Sequence, residues 1–388
     1  MIHELVFSWR GALLGVLASV AAIGFAIPAN AASPVTSQTN PAFVQVNLVS
    51  NLPDVAPLTD PDLVNAWGLA ASPGTDQVPG SPLWVSDNGT DKATLYIGTG
   101  PASVAKFQPL PAVSVTGAAP TGQVFNTDTN ANDFVVTDAS GHSGRAVFIF
   151  DTENGTIDGW SPTVGVAPGA TPPSTVTEVA RDNGANAVYK GLAIAVASDG
   201  HTYLYATNFR SGRVEAYDST FTPVELPGGL FVDPKLPTGY GPFGIQEIGG
   251  QLYVSFAEQD AFLHDDVAGQ GHGFVDVFTN DGAFVKRLIT RGQLNSPWGL
   301  ALAPSGFGNF GGDLLVGNFG DGSINVYNPD NGARVGFLRQ PSGRPIVIDG
   351  LWGLRFGNGN AAKTGELLFS AGPNHESDGL LGKIVVAP

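Results

Sequence analysis

Pro297-Trp298-Gly299-Leu300-Ala301-Leu302, then Asp313-Leu-Leu-Val-Gly-Asn318, then Gly322-Ser-Ile-Asn-Val-Tyr327 is the stretch that decides the fold. It reads as an aromatic-Gly-apolar strand, a second strand ending in a polar residue, a tight turn and a third alternating strand. A fourth follows near Arg334–Leu338. Apolar residues at alternate positions between Gly, Asn, Asp and Pro turns mark half-buried strands.

The phrase recurs outward in both directions. Trp67-Gly-Leu-Ala70, Lys190-Gly-Leu-Ala193, Phe243-Gly-Ile245 and Trp352-Gly-Leu354 each lead into a second and a third strand. A weaker copy starts near Gly122 and continues through Phe134–Asp138 and Ala146–Phe150. The leading glycines, at 68, 122, 191, 244, 299 and 353, are 54, 69, 53, 55 and 54 residues apart. The long interval contains the Gly/Pro/Thr-rich stretch Pro168–Pro173, read as a surface loop. Six repeats of this length imply an all-β, six-bladed β-propeller of four-stranded blades, since radial sheets solve the edge problem of an all-β chain. An open solenoid or a pair of sandwiches does not account for such repeats. The last copy shows only three strands before Pro388, and Phe43–Val49 is expected to supply the fourth and close the ring.

Upstream, Arg10, the apolar run Gly11–Ile27 and the box Ala29-Asn30-Ala31 have the order of a secretory signal. The expected organisation is a signal peptide over 1–31, a flexible segment over 32–42 and one propeller domain over 43–388. Export places the mature protein in the secreted or periplasmic space, with no membrane span after the signal. Loss of residues 1–31 removes Arg10 and Glu4 together, so the net charge stays at −16. That field repels nucleic acid and anionic membrane surfaces. The absence of cysteine excludes disulfides, thiolate metal sites and cysteine nucleophiles.

Loops joining strands 2 and 3, and strand 4 to the next strand 1, share one face of a propeller, where function usually resides. Three sets of residues are candidates there. Asp87 and Asn88, Asp138, Asn208 and Asn318 end second strands; they suit either a ring of oxygen ligands, as in propeller lactonases, or turn chemistry. Trp67, Phe243, Trp298 and Trp352 precede the leading glycine, with Lys190 in that place in the third copy. They suit either a stacking collar for a flat ligand or packing between blades. Two loops break the repeat: Glu258 to His272, containing Asp260, His264, Asp265 and Asp266, and Pro373 to Asp378, containing His375 and Glu376. His142 falls in what reads as the equivalent loop of the second blade. Histidine beside carboxylates suits a divalent cation or acid–base work, and equally a solvated loop. The metal candidates are His264, Asp265, Asp266 and His375.

At blade level the phrase resembles NHL-repeat propellers. Longer strings resemble a family of uncharacterised bacterial secreted proteins: Asn65-Ala-Trp-Gly-Leu-Ala70, His264-Asp-Asp-Val-Ala-Gly269, Gly273-Phe-Val-Asp276, Ser296-Pro-Trp-Gly-Leu-Ala301, Leu315-Val-Gly-Asn-Phe-Gly320 and Ile348-Asp-Gly-Leu-Trp-Gly-Leu-Arg-Phe-Gly357. Some of its members carry a C-terminal sorting tail of the PEP-CTERM kind, which has no counterpart before Pro388. The resemblance implies a propeller and no particular activity. No nucleophile elbow, zinc-protease helix or phosphate loop occurs. The residues therefore suit a binding module for a small molecule, carbohydrate or surface protein. The alternative is a metal-dependent hydrolase of lactonase type, with a divalent cation as cofactor.

Overall fold

The computed structural model describes residues 42–167 and 169–388. The expected signal peptide, most of the 32–42 segment and Pro168 lie outside the described residues. Among the described residues there is no α-helix, only three short 3-10 turns, and no helix long and apolar enough to cross a membrane.

Six antiparallel sheets form the blades. Their innermost strands are Ala66–Ala70, Pro120–Phe125, Tyr189–Val196, Tyr240–Ile248, Pro297–Leu302 and Leu351–Phe356. Blade six is completed by Phe43–Ser50, which pairs antiparallel with Leu380–Val386 from Phe43↔Val386 to Ser50↔Leu380. The ring is thus closed by the N-terminal strand, as the sequence implies. Phe43 anchors the closure: it is fully buried against Phe307 and Phe310 of blade five, with ring centroids at 4.8 and 5.9 Å.

The leading glycine has a direct steric cause. A Cβ on Gly68 would sit 2.5 Å from the carbonyl oxygen of Thr121, on Gly244 2.1 Å from that of Trp298, and on Gly353 2.6 Å from that of Trp67. Each glycine therefore lets its strand press against the backbone of the next blade, and the chain of contacts returns from blade six to blade one. At the same place the pairing of strands 1 and 2 slips register, for example between Ala66 and Leu69 and between Pro297 and Leu300. Such a bulge re-aims the preceding side chain, here the aromatic. A hydroxyl from strand 2 fastens the seam: Thr207 Oγ1 donates to Phe243 O at 2.9 Å, and Ser370 Oγ to Trp67 O.

Blade two departs from its expected layout. Its second and third strands are Phe148–Thr152 and Thr156–Trp160, not Phe134–Asp138 and Ala146–Phe150. Val135–Thr137 pairs with Ser143–Arg145 as a separate hairpin inserted between strands 1 and 2. Asn126, Asp128 and Asn130 open the insertion as consecutive Asx turns, each side chain accepting the backbone N–H two residues on. Phe134–Asp138 imitates a second strand because it alternates and ends in Asp. Asp138 and His142 consequently belong to a 1–2 connection, at the opposite end of the blade from the 2–3 turns. There they bond each other, Nδ1 to Oδ2, at 3.0 Å.

Candidate functional site

The aromatic-Gly bulges point into the axis on the face carrying the 2–3 turns. Trp67 and Trp352 stack with centroids 3.4 Å apart, Trp298 meets both edge-on at 5.9 and 5.8 Å, and Phe319 stacks on Trp352 at 3.9 Å. With Phe209, Phe243 and Ala257 they form one buried cluster. The three tryptophans are at most 9% exposed. Their faces are covered by each other, so they plug the channel rather than form an open collar for stacking.

The strand-pairing register shows which positions line this mouth. Strand 2 residues opposite the start of each bulge are Asp87, Thr152, Asn208, Phe256, Asn318 and Ala371. The residues that follow them are Asn88, Glu153, Phe209, Ala257, Phe319 and Gly372, and three of these belong to the plug. Side chains alternate between faces along a strand, so a one-residue offset reverses direction. Asn208 and Asn318 accordingly do not face the axis. Asn208 accepts from Ser211 N at 3.1 Å and donates to Glu215 at 2.8 Å. Asn318 accepts from Asn295 N at 3.1 Å and donates to Gln293 O at 2.7 Å. Both satisfy turns. Asp87 is interior, accepting from Thr94 N at 3.0 Å, and burial pushes its carboxyl well above 3.8. Asn88 alone of that set reaches the mouth.

Every blade but the second gives an apolar group to the plug (Trp67, Phe209, Phe243, Trp298 and Trp352 among them), while blades one to three add the polar Asn88, Glu153 and Lys190 beside it. Lys190 takes the aromatic position of the repeat, and its ammonium lies 5.2 Å over the Trp67 ring. It is 2% exposed and paired with Glu153, and it reaches Asp265 Oδ1 at 3.4 Å. Burial alone would lower its pKa; the Glu153 carboxylate outweighs that and raises it. Asn88 donates to Glu153 Oε2 at 2.9 Å and accepts from Asn65 at 3.2 Å. Asn65 donates in turn to Glu376 Oε2 at 2.7 Å and accepts from Trp352 Nε1 at 3.1 Å. The polar network is thereby tied to the plug.

The two irregular loops contribute unequally. His264 Nδ1 bonds Asp265 Oδ1 at 2.8 Å, in a loop shaped by Asp260, whose carboxylate accepts the His264 backbone N–H at 2.9 Å. Burial pushes the Asp265 carboxyl up, but Lys190 and His264 together hold it below 3.8. Asp266 turns inward instead; burial raises its pKa, and one of its oxygens has no hydrogen-bond partner. In the sixth blade Asn374, His375 and Glu376 are all left-handed, at φ 57°, 54° and 64°. Non-glycine residues rarely adopt this conformation, and it concentrates at functional sites. The run leaves His375 exposed and brings Glu376 against Asn65, where burial raises the carboxyl and the charges of Glu153 and Asp265 add to the shift. Glu153, His264 and Asp265 offer three donor atoms within 4.8 Å of one another. The cation-ligating geometry thus includes His264 and Asp265 with Glu153, while Asp266 and His375 stand apart from it.

Glu153 and Asn65 were not singled out as site residues by sequence reasoning, and Glu376 was named only as part of the sixth-blade loop. The signal for Glu153 is that it occupies the repeat position of Asn88, which becomes visible once Phe148–Thr152 is recognised as strand 2.

The fold and site define a six-bladed β-propeller with a plugged channel and a charged network over the plug. Among known proteins, uncharacterized protein R648 of Acanthamoeba polyphaga mimivirus is 33% identical over 342 residues, covering 87% of this chain and 78% of that one. Uncharacterized protein L690 of the same virus is 32% identical over 349 residues, covering 87% and 84%. The chain belongs to the family of these proteins. No family model matches it. The assignment to a bacterial secreted family is therefore corrected: the relatives found are viral, and three of the six strings that suggested it carry the Trp-Gly-Leu phrase, whose glycine blade packing itself requires. Solved structures of similar architecture include the PQQ-bound aldose sugar dehydrogenase from Streptomyces coelicolor, at TM-score 0.46 and 14% identity over 90% of this chain and 100% of that one. Another is virginiamycin B lyase from Staphylococcus aureus, at TM-score 0.39 and 12% identity over 89% and 100%. Likenesses this distant carry no argument about function.

Proposed function

We propose that this propeller is an exported binding module whose site is the loop-face mouth, taking a ligand that presents N–H or O–H donors beside an apolar edge. A carbohydrate or a segment of a surface protein has that chemistry. One observation carries the reading: polar side chains of five blades (Asn65, Asn88, Glu153, Lys190, His264, Asp265 and Glu376) converge on one mouth over the aromatic plug. Oxygen acceptors outnumber fixed donors there, and the buried plug supplies a rigid floor. The test is a thermal-shift and tryptophan-fluorescence titration with neutral oligosaccharides and short peptides, on wild type and on Asn88→Ala with Glu153→Gln. A ligand that saturates wild type should lose its effect in the variant. Equal responses, or no saturable binding from either class, would count against the site.

The metal-dependent reading is favoured by one specific fact, the three donor atoms of Glu153, His264 and Asp265. Against it stands Lys190, whose ammonium already bonds two of those three carboxylate and imidazole ligands' residues, Glu153 and Asp265. A divalent ion would have to displace a buried ammonium or share oxygens with it, at a Coulombic cost. Lys190 thus supplies the positive charge that the carboxylates need. Export itself is proposed from Ala29-Asn30-Ala31: the mature protein should begin at Ala32 on N-terminal sequencing, and retention of Met1 would contradict it.

A further inference from the structure

The opposite end of the channel is open. Below the plug the inner strands enclose a cavity of about 190 Å³, lined by Leu69, Val124, Leu192, Ile194, Gln246 and Arg355 among others. A cleft of about 280 Å³ at the rim also touches Arg355. Arg355 lies three residues after the aromatic of its repeat. The same place holds Ala70, Val124, Ala193, Gln246 and Ala301 in the other blades. Five blades close the ring with small or neutral side chains there, so packing does not call for a guanidinium.

The group is set deep among protein atoms, touching solvent through the cavity. Burial pulls its pKa down to about 10, so it remains a cation at neutral pH. Its one described bond is from Nη2 to Ala71 O at 2.9 Å. No described carboxylate lies within 4.0 Å of it. Glu247, the acid on the rim, is turned to its own hairpin, accepting Gly250 N at 2.7 Å. A buried charge without a counter-ion is costly, and buried charges are ordinarily paired. In a chain of net charge −16 that pairs its buried cations, Lys190 and Lys383, with carboxylates, the half-buried and unpaired Arg355, open to the cavity, marks a place for a ligand.

We infer that the open end of the channel is a second binding site, which takes a small monocarboxylate on Arg355. The fork of the guanidinium matches a planar carboxylate with two parallel bonds. A single cation with an acid on the rim suits one negative charge and disfavours a dianion such as phosphate. The aliphatic walls suit a short apolar body behind the carboxylate. At roughly 30 Å³ per water the cavity would otherwise hold about six waters, which is room for a ligand of a few heavy atoms.

The test uses sodium propionate and inorganic phosphate against sodium chloride at equal ionic strength, read as melting temperature of the whole protein. Propionate should raise it beyond chloride, increasingly with concentration, because a ligand of the folded state stabilises by mass action. Arg355→Met should abolish that rise and, by removing a half-buried charge without a counter-ion, melt no lower than wild type without ligand. Arg355→Lys should keep only part of the rise, since it retains the charge and loses the fork. Several results would overturn the inference: no rise with propionate, a rise with phosphate alone, or an undiminished rise in Arg355→Met. An Arg355→Met protein that melts lower and a wild type indifferent to propionate would assign the arginine to structure.

Discussion

Replacing Phe43 by alanine is the sharpest perturbation of ring closure. Phe43 is fully buried in a cluster drawn from blades five and six, stacked on Phe310 and tilted against Phe307. Its strand also supplies the fourth strand of blade six. Truncating a fully packed phenylalanine costs about 3–5 kcal/mol, transfer and cavity included. With an unfolding entropy of ~2.1 cal/mol/K per residue over roughly 350 residues, a loss of about 4 kcal/mol lowers Tm by about 5 °C. Val44→Ala is the control: Val44 is half-buried on the other face of the same strand, and the loss should be no more than about 1 kcal/mol. Differential scanning calorimetry of the two variants measures both. Equal losses, or a Phe43→Ala protein melting with wild type, would refute closure through this strand's inner face.

Lys190→Met leaves Glu153 partly buried without its cation and should cost about 3–5 kcal/mol in denaturant unfolding; adding Glu153→Gln should recover part of that. Gly299→Ala places a Cβ 2.5 Å from the carbonyl of Trp352 and should lose about 1–3 kcal/mol by overpacking, whereas Gly306→Ala, with open space around it, should change little. Burial raises the Asp151 carboxyl from 3.8 to about 7, so the folded state holds a proton that the unfolded chain has released. Its contribution is full below pH 3.8 and is lost as the pH rises towards about 7. Asp151→Asn, which retains an acceptor for Thr121 Oγ1, should therefore show a shallower decline across that window and higher stability above it.

The fold was legible because closure of a propeller imposes the same local demand six times. A glycine must meet the next backbone in every blade, and in four of the six an aromatic precedes it and fills the axis. Trp67-Gly68, Trp298-Gly299 and Trp352-Gly353 announce that demand without any structure. The site was less legible for two physical reasons. Alternation makes the facing of a side chain depend on a single residue of register, so Asn208 and Asn318 looked equivalent to Asn88 while pointing into turns. The hairpin inserted in blade two displaced the reading of strand 2 and concealed Glu153. Lys190 was visible as a departure from the repeat, but its meaning required the two carboxylates that fold over it from blades two and four. Glu376 depended on a left-handed run at Asn374–Glu376 that local sequence does not announce.

The central claim is that a buried ammonium, rather than a metal ion, organises the loop-face mouth. Metal analysis of protein purified without added ions or chelator, combined with melts in the presence and absence of EDTA, tests it most directly. No stoichiometric divalent ion and superimposable melts are expected, because Lys190 already neutralises Glu153 and Asp265. One equivalent of calcium, zinc or manganese, with a melting temperature that falls on chelation and is insensitive to chelator in His264→Ala, would contradict it.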